Sequence, residues 1–149
     1  MDRLFPVWDK PEPPATLTQP TEQGARDAAV YFAETLEYAY RARDEAALND
    51  ILTTDCIDCD WTRDLVRTDF SRYREWVPLE ATDIHSVDQA ELVYEVEVTT
   101  PNAYYVTLDK SQTQVYGSGI QGNVATYYIV GYGDGRWVAL SLALGERLY

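Results

Sequence analysis

The chain has 149 residues, 46% of them hydrophobic, which is enough for one sizeable core and too few for two comfortable domains. Its 25 acidic and 12 basic side chains give a formal net charge of −13, so its field repels nucleic-acid backbones and anionic membrane surfaces. Nucleic-acid binding is therefore disfavoured. The acids are scattered, which indicates a solvated surface and leaves calcium or a cationic partner as the alternative.

No stretch approaches the roughly 20 apolar residues of a membrane helix, and residues 1–10 lack the apolar centre of a signal peptide. We therefore expect a soluble chain. It is either cytosolic or an exported protein in which Met1 stands in place of a native export signal.

The N-terminal region is rich in proline. Residues 9–20 contain four of the seven prolines, and proline favours extended, unpaired backbone. The sequence thus predicts an N-terminal tail and linker over residues 1–20, followed by a single domain over residues 21–149. The apolar residues 4–8 either dock on that domain or fray.

Helical signals follow the linker. Thr21 is a suitable N-cap, and an apolar stripe then recurs at three- and four-residue steps up to Tyr40, which predicts a long helix. Asp44 resembles the cap of a shorter helix carrying Ala47, Leu48, Ile51 and Leu52. A third helix is predicted from Asp55 towards Phe70.

After Pro78 the hydrophobic period changes to two. Residues 91–100 predict a strand with one buried face, residues 103–108 and 113–116 predict two more, and residues 117–122 predict a flexible turn. Residues 124–132 and 136–144 flank a hairpin signal, Gly133-Asp134-Gly135. Helices first and strands afterwards indicate an α+β fold with helices on one face of a strongly curved antiparallel sheet.

Several residues in the first half follow a recognisable order: Thr21, Gly24, Ala25, Phe32, Leu36, Tyr38, Ala39, Tyr40, Asp44, Leu48, Cys56 and Cys59. With the proline-rich lead they resemble an uncharacterised family of actinobacterial lipoproteins. The resemblance covers about residues 11–60 and implies a place outside the cytoplasmic membrane, tethered by a lipidated cysteine upstream. The order of helices and sheet is also similar to the cone-shaped nuclear transport factor 2-like (cystatin-like) fold, which hosts both enzymes and binding modules.

Cys56 and Cys59 are the two cysteines of the chain, and in an exported protein this spacing most simply predicts a disulfide. A redox pair is disfavoured because Asp55, Asp58 and Asp60 would raise the pKa of the thiols. Reduced structural thiols remain an alternative. A zinc site lacks further ligands because His85 is the sole histidine, so we expect no metal and no cofactor.

Acids near the cysteines lack the spacing of a calcium loop and are more simply first-turn helix acids. Asp83 and His85 alternate on a predicted strand and share a face, which is the arrangement that an isomerase or dehydratase of the cone fold would use to move a proton beside a carbonyl. A lone histidine is more often structural, so we expect a non-catalytic role and keep this enzyme as the alternative.

The twelve tyrosines and four tryptophans suit the walls of a pocket or an interface. Our candidates for a ligand pocket are Tyr38, Trp61, Trp76 and Tyr94. Some strands are apolar on both faces, which indicates that one face of the sheet meets the helices and the other is covered by a ligand, a partner or a second copy. In the last case the chain would form a homodimer through the sheet. We therefore expect an exported binding domain for an unknown small molecule or envelope protein, with an envelope redox protein as the third hypothesis.

Overall fold

The computed structural model describes residues 9–52, 56, 70–73, 78–108 and 115–144 of the chain. Within these residues a short 3-10 helix precedes two α-helices and five strands. The elements are the 3-10 helix Ala15–Thr18, α1 Glu22–Ala42, α2 Glu45–Asn49, β1 Phe70–Tyr73, β2 Glu80–Asp88, β3 Val93–Leu108, β4 Val115–Gly133 and β5 Arg136–Leu144.

Helix α1 is the predicted long helix. The Thr21 hydroxyl accepts a hydrogen bond from the Gly24 backbone N–H at 3.0 Å, which satisfies one of the N–H groups that the first turn leaves without a partner. The helix ends where Arg43 adopts a left-handed conformation, with φ of 55°, and donates its backbone N–H to Ala39. The predicted apolar stripe, including Ala25, Ala28, Ala29, Phe32, Leu36 and Ala39, is buried.

The predicted position and the predicted N-cap of helix α2 are also confirmed. The Asp44 carboxylate accepts a hydrogen bond from the Ala47 backbone N–H at 3.2 Å. Ala47, Leu48 and Ile51 are buried, and α2 packs against α1. The second helix therefore adds apolar surface to the same core as the first.

The five strands form one antiparallel sheet in the order β1-β3-β4-β5. Strand β2 pairs with the first half of β3, and β1 pairs with residues Tyr104–Thr107 in its second half. The predicted hairpin joins β4 to β5, where Asp134 and Gly135 have φ of 55° and 82°. Positive φ at both turn residues matches the right-handed twist of the flanking strands. The α+β prediction, with helices against an antiparallel sheet, is confirmed.

Two predictions about the strands are wrong. The strands expected at 91–100 and 103–108 are one strand, β3, and the turn expected at 117–122 lies inside β4, where Gly117 pairs with Thr107 and Gly119 with Tyr105. A long partner strand supplies hydrogen bonds that outweigh the low strand propensity of glycine. The breaks that the sequence suggested are register shifts near Thr100 and Ala103, which bend the pair without ending it.

Further differences concern the ends of elements. Phe70 opens strand β1, although the sequence predicted a helix running towards it. Glu91 and Leu92 belong to the turn before β3, and Leu92 has a φ of 52°. The predicted third helix otherwise lies outside the described residues, apart from Cys56, which is in neither a helix nor a strand.

The core lies between α1 and one face of the sheet. Val96, Val98, Val130, Trp137 and Ala139 pack there with the buried stripe of α1. This face of the sheet is called the inner face below, and the opposite one the outer face. Each fully buried apolar side chain contributes roughly 1.5–3 kcal/mol, so the inner face carries most of the stability of the fold.

In the part of the chain that the structure describes, no helix combines the length and the apolar character needed to span a membrane.

Candidate functional site

The outer face of the sheet carries the predicted pair Asp83 and His85. The register of β2 and β3 places His85 opposite Glu95 and Asp83 opposite Glu97. Residues two apart on a strand share a face, so all of these side chains belong to one surface. Glu95 in turn lies opposite Ile129 on β4. The structure thus places Asp83 and His85 on one face with two carboxylates beside them, and their catalytic role stays a prediction.

Glu95 is the most buried carboxylate of this surface. It is 1% exposed, and its Oε1 lies 3.4 Å from Nε2 of His85, whose side chain is 33% exposed. Nε2 of His85 is itself buried, and the Glu95 carboxylate lies within ion-pair distance of it. The prediction that this strand has one buried face is wrong at Glu95, where the second face is buried as well.

Glu97 is held from both neighbouring strands. The Thr82 hydroxyl donates to Oε1 at 2.6 Å, and the Tyr127 hydroxyl donates to Oε2 at 2.9 Å. On the same strand as Thr82, the Asp83 carboxylate accepts from the Ile84 backbone N–H at 2.9 Å. Both oxygens of Glu97 therefore serve cross-strand hydrogen bonds, which is the pattern of a structural ladder.

The second feature is the N-terminal segment, residues 10–19, which crosses α1. Leu17 is buried in the core, the Tyr132 hydroxyl donates to the Thr18 carbonyl at 2.7 Å, and the Trp137 indole N–H donates to the Gln19 carbonyl at 2.6 Å. Residues 15–19 are therefore attached to β4 and β5. The domain boundary at residue 20 stays a prediction, but the chain packs on the domain before that residue.

Gly24 is what lets this segment approach α1 so closely. A Cβ atom at Gly24 would lie 2.4 Å from the Gln19 carbonyl oxygen, 2.6 Å from Nε1 of Trp137 and 2.8 Å from the Thr16 carbonyl oxygen. Two of these contacts are with backbone, which cannot rotate away. The glycine is thus required by a close approach of three chain segments.

A groove of about 450 Å³ opens beside the segment, and we call it the proline groove. Its walls come from the N-terminal segment, from α1 and from the start of β2. The lining residues are Pro11, Glu12, Pro14, Gln23, Arg26, Asp27, Val30, Tyr31, Glu34, Leu79, Glu80 and Ala81. Its volume is within the range of small-molecule sites.

A second groove, also of about 450 Å³, lies on the other side of the segment and includes Leu17, Arg136 and Trp137 in its walls. Tyr31 lines both grooves, and burial raises the pKa of its hydroxyl above the ordinary value. Lys10 bridges across the second groove to Asp50 at 2.5 Å, and this hydrogen bond raises the pKa of the Lys10 ammonium.

Of the four residues of the predicted aromatic pocket, the structure describes Tyr38 and Tyr94, which lie in different parts of the core. Tyr94 contacts the Trp137 ring at 5.8 Å, close to Gly24, whereas Tyr38 packs on the core 14 residues further along α1. At a rise of about 1.5 Å per residue, that is about 21 Å along the helix axis. Trp61 and Trp76 lie outside the described residues, so the pocket stays a prediction.

Cys56 packs partly buried against the core. Cys59 lies outside the described residues, so its pairing with Cys56 stays a prediction. Within the described ranges, no three His, Cys, Asp or Glu side chains form a group arranged to hold a metal ion.

Glu95, Gly24 and Trp137 were missed from the sequence. The alternation over residues 91–100 predicts one buried face and puts Glu95 on the other, and only strand pairing shows its neighbour His85. Gly24 carried a signal, because a glycine inside an otherwise strong helix often marks a close packing contact. Trp137 follows the hairpin and has no sequence pattern that links it to residue 19.

Comparison with known proteins identifies the family of the chain. The model of a family of unknown function (DUF6318) matches residues 9–143, which include the whole N-terminal segment. The chain belongs to this family. No curated protein and no solved structure matches it.

Proposed function

We propose that this member of the DUF6318 family is a non-catalytic binding domain that holds its ligand, a small molecule or a short piece of an envelope protein, in the proline groove. The observation that carries the proposal is the attachment of residues 15–19, because it fixes one wall of the groove against the domain. A preformed wall lowers the entropic cost of binding.

The proposal includes a place in the cell envelope, as an actinobacterial lipoprotein with the cone-shaped fold. The proline-rich lead, the Thr21-to-Ala25 motif, the register shifts in the β3–β4 pair and the spacing of Cys56 and Cys59 support it. Thiol labelling of the protein in intact cells and in lysate tests the location. Labelling of both Cys56 and Cys59 without reductant would argue against export.

Binding in the groove is tested by NMR titration with a fragment library and by one filling variant. Ala81→Leu places extra methyl groups in the groove, and Ala46→Leu makes the same change at an exposed position of α2. We expect fragments to shift the backbone signals of Val30, Leu79 and residue 81. We expect these shifts to be smaller in the Ala81→Leu variant. If no fragment shifts these signals, the groove is not a binding site.

A second candidate function is proton transfer by His85, and the observation that favours it is the contact with Glu95 at 3.4 Å. In this reading the imidazole of His85 takes a proton from the carbon beside a carbonyl and later returns it, while the Glu95 carboxylate holds the ring in place. Hydrogen–deuterium exchange next to the carbonyl of small ketones in D₂O tests it directly. Exchange no faster than with the His85→Gln variant would dispose of this candidate.

A further inference from the structure

We infer that the proline groove takes a basic segment of a partner protein, with a lysine or arginine side chain laid along it. The inference rests on the proposed function and names the class of ligand. It starts from the chemistry of the walls, which combine apolar surface with carboxylates on three separate elements.

The apolar part of the wall comes from Pro11, Pro14, Val30, Leu79 and Ala81. These residues belong to the N-terminal segment, to α1 and to the start of β2 with the residue before it. Aliphatic stems bury well against such a surface. A purely ionic ligand would leave this apolar surface in water.

The charged part of the wall is acidic. Glu12 comes from the segment, Glu34 from α1 and Glu80 from β2, so three elements place carboxylates around the same space. Asp27 accepts hydrogen bonds from Thr16 at 2.6 Å and Gln23 at 2.8 Å, so its carboxylate already holds the segment to α1.

Among the residues that the structure describes, Arg26 is the one basic residue in the groove wall, and its Nη2 contacts Glu22 at 3.2 Å. That pair reduces the positive charge that a ligand would meet. The groove therefore keeps an excess of negative charge, which has the same sign as the net charge of −13 on the whole chain.

A lysine or arginine side chain matches both parts of the wall. Its aliphatic stem packs on apolar surface while its charged end stays near water and carboxylates. An anionic partner is disfavoured by the same charges. A second copy of this chain also carries −13, so mutual repulsion disfavours it as the occupant.

The test uses the full chain and three acetylated, amidated pentapeptides, in which two lysines, two norleucines or two glutamates alternate with alanine. Norleucine keeps most of the lysine stem and lacks the charge. Affinity is measured by NMR titration at low and at near-physiological salt. We expect the lysine peptide to shift the signals of Val30, Leu79 and Ala81, and to bind more tightly than both other peptides.

Two double variants of equal net charge separate the groove from general attraction. Glu12→Gln with Glu80→Gln removes two exposed carboxylates of the groove, and Glu91→Gln with Asp134→Asn removes two exposed carboxylates elsewhere. We expect the first pair to weaken binding of the lysine peptide about fivefold and the second pair to have less than a twofold effect.

Equal loss of affinity in both double variants would mean general attraction to an acidic protein and would overturn the inference. Binding of the norleucine or glutamate peptide in the groove, as tight as that of the lysine peptide, would overturn it too while leaving the proposed function intact. If no peptide and no fragment shifts the NMR signals of the groove residues, both the inference and the proposed function are wrong.

Discussion

The two ends of the N-terminal segment are held by different forces. The inner end, residues 15–19, is held by buried Leu17 and by hydrogen bonds from Tyr132 and Trp137. The outer end is held by the Lys10–Asp50 ion pair, whose side chains are 43% and 54% exposed. Packing therefore fixes one end and a solvent-screened charge pair holds the other, with the wall of the proline groove between them.

The largest expected effect is at the inner end. Gly24→Ala forces a methyl group against the carbonyl oxygens of Gln19 and Thr16, so we expect it to lower the free energy of unfolding by about 3 kcal/mol or more. Gly133→Ala is the matched control, because its Cβ meets no atom within 4 Å, and we expect a change below about 0.5 kcal/mol. Urea unfolding of both variants measures the difference. Equal stabilities would show that the segment is not packed on Gly24.

A smaller effect is expected from a single hydrogen bond at the same end. Tyr132→Phe removes the hydroxyl that donates to the Thr18 carbonyl and keeps the ring that contacts Trp137 at 5.3 Å. The expected loss is about 1 kcal/mol in the free energy of unfolding. Faster amide hydrogen exchange at Leu17 and Gln19, but not in α2, would locate the loss. Unchanged exchange at these two amides would contradict an attached inner end.

The smallest effect is expected at the outer end and depends on pH. The Lys10 pKa is raised from 10.5 by its hydrogen bond to Asp50, so the folded state holds this proton more tightly than the unfolded state. The stabilisation is present below pH 10.5 and is lost as the pH rises through the raised pKa. Burial raises the pKa of Tyr31 from 10.0, which adds a loss in the same direction.

Asp50→Asn is the control for this pH dependence, because it removes the ion pair and leaves Tyr31 in place. We expect the stability difference between wild type and Asp50→Asn to shrink as the pH rises above about 10 in thermal unfolding. A difference that stays constant through this range would show that the ion pair does not hold the outer end.

The sequence was sufficient to predict those features that depend on residues close together in the chain. Thr21 and Asp44 cap α1 and α2 as predicted, and the Asp134-Gly135 turn joins β4 to β5. Each of these features depends on residues within a few positions of one another, so the pattern of residue types determines it.

The sequence was insufficient where distant strands meet. The pairing of β3 with β4 overrides the glycines of residues 117–122, and the contact between His85 and Glu95 exists only in the register of β2 on β3. The alternation of Glu95 with Val96 predicts opposite faces correctly but does not predict how far the outer one is covered. The groove likewise needs the N-terminal segment folded back on α1.

The attachment of Thr18 and Gln19 also has a mechanical consequence. A pulling force applied upstream of residue 15 reaches the hydrogen bonds from Tyr132 and Trp137 before it reaches the first turn of α1. The load then enters the β4–β5 hairpin, where adjacent strands share it. Pro11, Glu12 and Pro14 lie upstream of these hydrogen bonds, so the same force would draw this wall of the proline groove away before it unfolded α1.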